Sequence, residues 1–200
     1  MNETAGGLQI RGQYQLHHLT WTIVDKLPLL MRTQGKRIVL DALRYGCQHK
    51  GLHIYAYVMM SNHIHLIAAV APDSGGLSKV VGQLKSHSSK QLMAWLAQSD
   101  APENAVYLKH LLHRAELTGE RNIWQRGNGA QTLLYPRFTQ QKLNYVHLNP
   151  VRAGIVYEAN EYVYSSAAQY AGRKGEFPLV VELLELDTGD GYLPTKGLGR

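Results

Sequence analysis

The alternation of apolar and polar positions predicts a strand, a helix and two further strands in the first seventy residues. Residues 16–24 alternate with a period of two, which is typical of a strand with one buried face. Residues 34–50 place apolar side chains at helical spacing, and a glycine follows them as a stop signal. Residues 52–58 and 63–70 are strands joined by a short connection, and so predict an antiparallel pair.

The second half of the chain is predicted to be mainly helical. Residues 77–98 carry a long helical pattern, and a shorter helix is expected at 106–117. Residues 122–125 are expected to form a short strand. After the Gly-rich break at 126–129, a helix covers 136–149 and is expected to stop at the following proline.

The order of these elements predicts the fold class. The series β-α-β-β-α-β, followed by one more helix, is typical of an α+β, ferredoxin-like (RRM-like) antiparallel sheet with helices on one face. The other face is expected to be open. We assign residues 14–172 to this domain, residues 1–13 to a flexible leader, and residues 173–200 to a tail anchored only by its apolar piece at 179–186.

Composition narrows the class of protein. Apolar residues make up 44% and charged residues 18%, which excludes a disordered chain. No apolar run is long enough to span a membrane, no signal peptide is recognisable, and the single Cys47 offers no disulfide, so a cytoplasmic protein without a membrane partner is expected. The net charge is +6 and becomes +9 over residues 1–175, because the end of the chain is acidic. This positive net charge favours binding to phosphates, although many basic proteins bind no nucleic acid.

His63 and His65 form the first motif with chemical content. Residues at i and i+2 of a strand project from one face, so both imidazoles can reach one divalent cation. The alternative is a pair of histidines on a solvated face. On the neighbouring strand, Tyr55 and Tyr57 are expected to share the open face with His53, where aromatic rings stack on unpaired bases or simply pack across strands.

The helix at 136–149 carries the second motif. Gln141, Tyr145 and Asn149 align along one edge at helical spacing, and Lys142 lies beside them. The opposite side is the expected packing face, and it carries Leu143, Val146 and His147. A free phenol has a pKa of about 10 and is a poor nucleophile. It becomes useful for phosphoryl transfer when a cation polarises the phosphate.

Four segments together resemble the single-tyrosine transposases of the HUH endonuclease superfamily, and most closely the REP-associated tyrosine transposases. These segments are AYVMMSNHIHLIA at 56–68, IWQ at 123–125, KLNYVHLNPVRAGIV at 142–156 and YSSAAQYAG at 164–172. The resemblance covers residues 16–172. It implies that His63 and His65 bind Mg²⁺ or Mn²⁺, that Asn149 supplies a third ligand, and that Tyr145 is the nucleophile.

The resemblance also implies a substrate and a reaction. Members of the family nick single-stranded DNA near a hairpin, form a 5′-phosphotyrosine link and pass it to another 3′-hydroxyl, and they use no nucleotide cofactor. Some members are homodimers that exchange the tyrosine helix through a glycine hinge. Residues 127–129 are the candidate for such a hinge, although a surface turn is the favoured interpretation of this segment.

Basic side chains are candidates for DNA contacts, although each is explained as well by a solvated surface charge: Lys79, Lys85, Lys90, Arg121 and Lys142. Residues 99–120 have no assigned role. Three alternatives stay open at this stage: a catalytically silent hairpin-binding protein, a replication-initiator-like nickase, and a hydrolase of another substrate. Initiators usually carry extra domains, and a hydrolase would be expected to show acidic ligands near the histidine pair.

Overall fold

The computed structural model of the chain describes residues 10–127, 129–174, 179 and 181–186. The chain contains both strands and helices, with short 3₁₀ turns at Val24–Lys26, Pro72–Ser74 and Ala159–Glu161. In chain order the main elements are β1 (His17–Thr22), α1 (Thr33–His49), β2 (Leu52–Met59), β3 (His63–Val70), α2 (Leu77–Gln98), α3 (Pro102–Thr118), β4 (Gln131–Thr132), α4 (Pro136–Arg152) and α5 (Ala167–Tyr170).

The strands form one antiparallel sheet in the order β2-β3-β1-β4. This order follows from the split β-α-β arrangement, in which β3 inserts between β1 and β2. The predicted α+β, ferredoxin-like sheet is therefore confirmed. In the central pair, Leu19 lies opposite Leu66 and Thr20 lies opposite His65.

The first face of the sheet packs against α1 and α2. Leu19, Trp21, Ile64 and Leu66 are at most 1% exposed. Trp21 meets Trp124 edge to face, with ring centroids 5.7 Å apart. Burial of these large apolar side chains is the main favourable term that holds the two layers together.

The second face is covered by α4, so the expectation of an open face is wrong. Helix α4 contacts both β2 and β3, and its apolar side is fully buried at Leu143 and Val146. His147 is buried on the same side and shares a hydrogen bond of 2.9 Å with the Ser166 hydroxyl. The face of α4 that was predicted to pack is thus the face that lies against the sheet.

A β-bulge in β2 overturns the expected position of Tyr57. The register of β2 against β3 shifts between Ile54 and Ala56, which inserts one extra residue and exchanges the faces beyond it. Tyr57 therefore lies opposite Leu66 on the face that packs against α1 and α2. Its side chain is 1% exposed, so its ring cannot stack on DNA bases. Tyr55, at the bulge, is half-buried, and its carbonyl accepts a hydrogen bond from the Tyr170 hydroxyl.

The fourth strand also lies elsewhere than expected. Residues 122–125 make only an isolated bridge between Ile23 and Trp124, whereas β4 begins at Gln131. Both segments run along the edge of β1, but the chain between them turns through glycines with positive φ, 78° at Gly127 and 49° at Gly129. The turn interrupts the ladder and divides one edge strand into two short pieces.

Two helices are longer than their patterns predict. Helix α3 begins at Pro102, four residues before the expected start, with proline in the first turn, where its missing N–H costs nothing. Helix α4 continues through Pro150 to Arg152. Pro150 falls in the last turn, and the chain then closes through a hydrogen bond from the Ala153 amide to the Asn149 carbonyl.

Both ends of the described chain pack on the domain. The side chain of Gln13 accepts a hydrogen bond from the Ser78 amide at the start of α2. At the other end, the Glu182 amide donates to the Ile54 carbonyl on the outer edge of β2, and Leu179 is 2% exposed. The rest of the predicted leader and tail lies outside the described residues. None of the described helices combines the length and apolar character that a membrane span needs.

Two glycines inside helices offer a matched test of this packing. A Cβ at Gly35 would lie 2.1 Å from the Leu29 carbonyl oxygen, whereas a Cβ at Gly82 would have no heavy atom within 4 Å. We expect Gly35→Ala to lower the free energy of unfolding by about 1–3 kcal/mol, because backbone must move. Gly82→Ala should raise it by about 0.5–1 kcal/mol through helix propensity. Urea unfolding measures both, and equal effects would contradict the packing at Gly35.

Candidate active site

The two histidines of the H-x-H motif lie side by side on β3 and face α4. Their ring centroids are 4.9 Å apart and the rings are nearly perpendicular. His65 is 5% exposed, and His63, nearer the end of the strand, is half-buried. The strand period directs both rings away from the α1 and α2 layer, since Ile64 between them points into that layer.

The hydrogen bonds of these histidines leave one nitrogen of each ring free. Nδ1 of His63 donates to the Asn62 side-chain oxygen at 2.7 Å, and Nδ1 of His65 lies 3.0 Å from the Thr20 hydroxyl. Among the described residues neither Nε2 has a hydrogen-bond partner. Metal-binding histidines are typically fixed through their second nitrogen in this way, so the pair fits a divalent cation bound through Nε2.

Burial keeps both imidazoles neutral, as metal ligation requires. Burial lowers the pKa of His63, and it lowers the pKa of His65 to about 3 with further contributions from His18, His63 and Lys142. A neutral imidazole presents a lone pair without first losing a proton. The histidine pair is therefore in its ligand form at neutral pH.

Tyr145 lies against this pair within the same chain. Its ring is in contact with that of His65, with centroids 5.0 Å apart and an angle of 76°. The position is set by α4, because Leu143 and Val146 anchor the helix to the sheet while Tyr145 stays half-buried at the edge of that contact. A phenol and two imidazoles from distant parts of the sequence thus converge.

Asn149 occupies the next turn of α4 and is half-buried. Its side chain makes no hydrogen bond to the described residues, so its oxygen is open to a ligand. Within the described part of the chain, no group of three or more His, Cys, Asp or Glu side chains is placed to hold a metal. Among the described residues, an amide or hydroxyl oxygen is therefore the kind of third protein ligand that fits beside His63 and His65.

His18 is part of the cluster, although the sequence motifs indicate no role for it. Its ring stacks on His65 at 5.3 Å and meets Tyr145 edge to face at 5.8 Å. It is 4% exposed, and neither ring nitrogen has a hydrogen-bond partner among the described residues. Burial and Lys142 lower its pKa to about 4, while the side chain of Gln131, its cross-strand neighbour, acts in the opposite direction. The sequence signal that could have identified His18 is its position on the polar face of β1, the face that also carries Thr20 and Thr22.

The predicted basic contacts divide between the two sides of the sheet. Lys142 lies at the site, with its Nζ 5.8 Å from the centroid of the Tyr145 ring. Lys85 lies on the opposite side over Trp21, donates to the Gln125 and Gly127 carbonyls, and has its pKa lowered to about 8 by burial. Lys85 therefore stabilises the segment at residues 125–127, which precedes β4. The remaining candidates are on or beside α2, away from Tyr145: Lys79, Lys90 and Arg121.

The proposed hinge lies in this same stretch. Asn128 is outside the described residues, and Gly127 and Gly129 both have positive φ. A Cβ at Gly129 would lie 3.2 Å from the Thr20 side chain, so this glycine allows a close approach to β1. Helix α4 reaches the histidines of its own chain, and the site is complete in one copy as far as these residues are concerned.

Comparison with known proteins identifies the family of the chain. The sequence model for transposases of the IS200 type matches residues 13–133, more than half of the chain. The chain therefore belongs to the IS200-like transposase family, an enzyme class that cuts and joins DNA. The match ends before α4, so Tyr145 and Asn149 lie outside it. No curated protein is significantly similar in sequence.

Two solved structures are similar in fold. The structure of a REP-associated tyrosine transposase bound to a REP hairpin has a TM-score of 0.61 and 15% identity, and the alignment covers 96% of this chain and 99% of that one. A protein of Deinococcus radiodurans R1 assigned as a transposase has a TM-score of 0.43 and 20% identity over 68% of this chain and 92% of that one. The first likeness supports the fold, and the second is too low to carry an argument.

The buried histidines predict how stability depends on pH. His18, His65 and His147 have pKa values lowered by burial to about 4, 3 and 3. In the unfolded chain they titrate at about 6.5, so below that pH the unfolded state binds protons that the folded state does not. The free energy of unfolding of the metal-free protein should fall as the pH decreases from 6.5 towards 4, by about 1 kcal/mol per pH unit for each histidine.

Urea unfolding in EDTA at several pH values checks this dependence. His147→Gln should reduce the slope, whereas His113→Gln, at a side chain that is 69% exposed, should leave it unchanged. A free energy of unfolding that stays constant between pH 7 and pH 5 would show that these imidazoles are not buried in their neutral form.

Proposed function

We propose that this transposase is a metal-dependent, single-stranded DNA endonuclease and strand transferase that acts through a 5′-phosphotyrosine intermediate on Tyr145. The observation that carries the proposal is the contact of the Tyr145 ring with His65 at 5.0 Å, beside His63. A nucleophile next to a pair of neutral, pre-oriented imidazoles is the minimum that metal-assisted phosphoryl transfer by a phenol requires. Family membership supports the same chemistry.

The residues fit Mg²⁺ or Mn²⁺, held by Nε2 of His63, Nε2 of His65 and the side-chain oxygen of Asn149. When bound, the cation would polarise the scissile phosphate and stabilise the charge that develops during transfer. A mixed set of two imidazoles and one amide oxygen is neutral, which leaves the cation with its full charge towards a phosphate. Water and phosphate oxygens would complete the coordination.

The chemistry at the phosphate is an exchange of bonds. The Tyr145 oxygen attacks phosphorus, its proton is lost, the bond from phosphorus to the 3′-oxygen breaks, and the DNA strand leaves with a 3′-hydroxyl. In the second step another 3′-hydroxyl attacks the same phosphorus and Tyr145 is released with its proton restored. Because one phosphoester bond replaces another at each step, no nucleotide cofactor is needed.

The rings of His18 and His65 would orient the nucleophile for this attack. Both pack against the ring of Tyr145 from the sheet side, so the phenol cannot turn into the core. Helix α4 adds rigidity, since it is anchored by fully buried side chains on its other side. Orientation of this kind lowers the entropic part of the barrier to transfer.

We further propose a single-stranded DNA hairpin as the substrate and a homodimer as a possible working form. The structural relative bound to a REP hairpin supports the first idea, since both chains share one fold over nearly their whole length. The basic excess of +9 over residues 1–175 supports binding to a polyanion. The oligomeric state stays a prediction.

Removal of the nucleophile separates this function from simple hairpin binding. With labelled single-stranded oligonucleotides from the flanks of the gene and Mg²⁺, the wild-type protein should form a denaturation-resistant adduct. Tyr145→Phe should abolish the adduct and change hairpin affinity less than about threefold, because only a hydroxyl is lost. Tyr135→Phe, at a tyrosine that is 70% exposed before α4, serves as the control and should react normally. Adducts that persist in Tyr145→Phe would remove Tyr145 from its role.

The metal site has an independent readout in Mn²⁺ affinity. We expect His63→Ala and His65→Ala each to weaken Mn²⁺ binding by on the order of 10–100-fold, because each removes a ligand of a small set. Calorimetry or the electron paramagnetic resonance signal of free Mn²⁺ measures the change without DNA. His87→Ala, at an exposed histidine of α2, is the matched control. Unchanged affinity in both site variants would place the cation elsewhere.

A further inference from the structure

We propose that Arg152 is a further substrate-binding residue of this site and that its side chain binds the phosphate that Tyr145 attacks. The inference deepens the proposed function and rests on it. Arg152 is the last residue of α4, two turns beyond Tyr145. Its guanidinium carbon lies 5.6 Å from the centroid of the Tyr145 ring.

The charge of Arg152 has no partner in the described part of the chain. It makes no ion pair and no side-chain hydrogen bond there, and the side chain is exposed. Four other arginines of the described residues are paired with carboxylates: Arg32 with Glu103, Arg44 with Asp41, and both Arg114 and Arg126 with Glu120. The Arg152 guanidinium combines the absence of such a partner with a position beside the Tyr145 ring, so its donors are available to an anion at that position.

Lys142 places a second unpaired cation at the same ring. Its Nζ is 5.8 Å from the Tyr145 centroid and 5.3 Å from that of Phe138. Lys142 precedes Tyr145 by one turn and Arg152 follows it by two, so both cations lie on the same edge of α4 as Tyr145. The sheet side of the ring is formed by the neutral imidazoles of His18 and His65. An anion is thus drawn to the exposed side of Tyr145.

The shape of the guanidinium makes Arg152 the better match for a phosphate. It offers a planar fork of N–H donors that pairs with two oxygens of one phosphate, whereas an ammonium acts as a point charge. A cation–π contact with an aromatic ring uses no oxygen acceptor. The contact with Tyr145 therefore leaves the N–H groups of Arg152 available to a phosphate.

The role of Arg152 in the reaction is electrostatic. As the Tyr145 oxygen bonds to phosphorus and the 3′-oxygen departs, negative charge grows on the non-bridging oxygens of the phosphate. Arg152 would donate hydrogen bonds to these oxygens and would neither give up nor accept a proton. A donor placed in advance at such a position lowers the barrier because it needs no reorganisation during the step.

Single-turnover adduct formation on a labelled single-stranded oligonucleotide with Mg²⁺ tests this role. We expect Arg152→Gln to slow adduct formation by roughly 100-fold, as loss of one oxyanion donor does in other enzymes. Arg152→Lys should recover part of the rate, since the charge returns without the fork. Lys50→Gln is the matched control: this cation lies 5.8 Å from the ring of Tyr45, at the end of α1 on the other side of the sheet, and its loss should leave the rate unchanged.

A methylphosphonate at the scissile position separates phosphate binding from a structural effect. It lacks one charged oxygen, so Arg152→Gln should lose far less on this substrate than on the natural phosphodiester. An equal loss on both substrates, or a wild-type rate for Arg152→Gln on the phosphodiester, would overturn the inference. A wild-type protein that forms no Mg²⁺-dependent adduct would instead overturn the proposed function, and the role of Arg152 with it.

Discussion

The pairing of β1 with β3 fixes the positions of the histidines in the candidate site, on which α4 then packs. Because Thr20 lies opposite His65 and Thr22 opposite His63, the polar face of both strands is continuous and points towards α4. A slip of one residue in either strand would carry the histidines into the apolar layer and expose leucine in their place. The burial of Leu19 and Leu66 on the reverse face therefore holds the register on which the chemistry depends.

Much of this arrangement can be predicted from local patterns. The alternation in β1 and β3 assigns His63 and His65 to one face without knowledge of the fold, and helical spacing assigns Tyr145 and Asn149 to one edge of α4. These are properties of short segments, determined by bond geometry and by which side chains avoid water. The order of the segments was then sufficient to predict the ferredoxin-like sheet.

Features that depend on contacts between distant segments could not be predicted in this way. A single inserted residue at the bulge in β2 moves Tyr57 to the other face of the sheet. The local sequence pattern does not predict this bulge. The role of His18 appears only when β1, β3 and α4 are together, since its neighbours come from three elements. Pro150 remains within α4 because the loss of one hydrogen bond in a final turn is offset by burial of its ring.

The contact between Tyr145 and His65 inside one polypeptide has a consequence for how the site comes into being. Folding alone brings the Tyr145 ring and the imidazoles together, so this contact needs no encounter between subunits. A site of this kind survives dilution, and its concentration equals that of the folded protein at any abundance. Even a few molecules in a cell would each hold this cluster of a phenol and imidazoles intact.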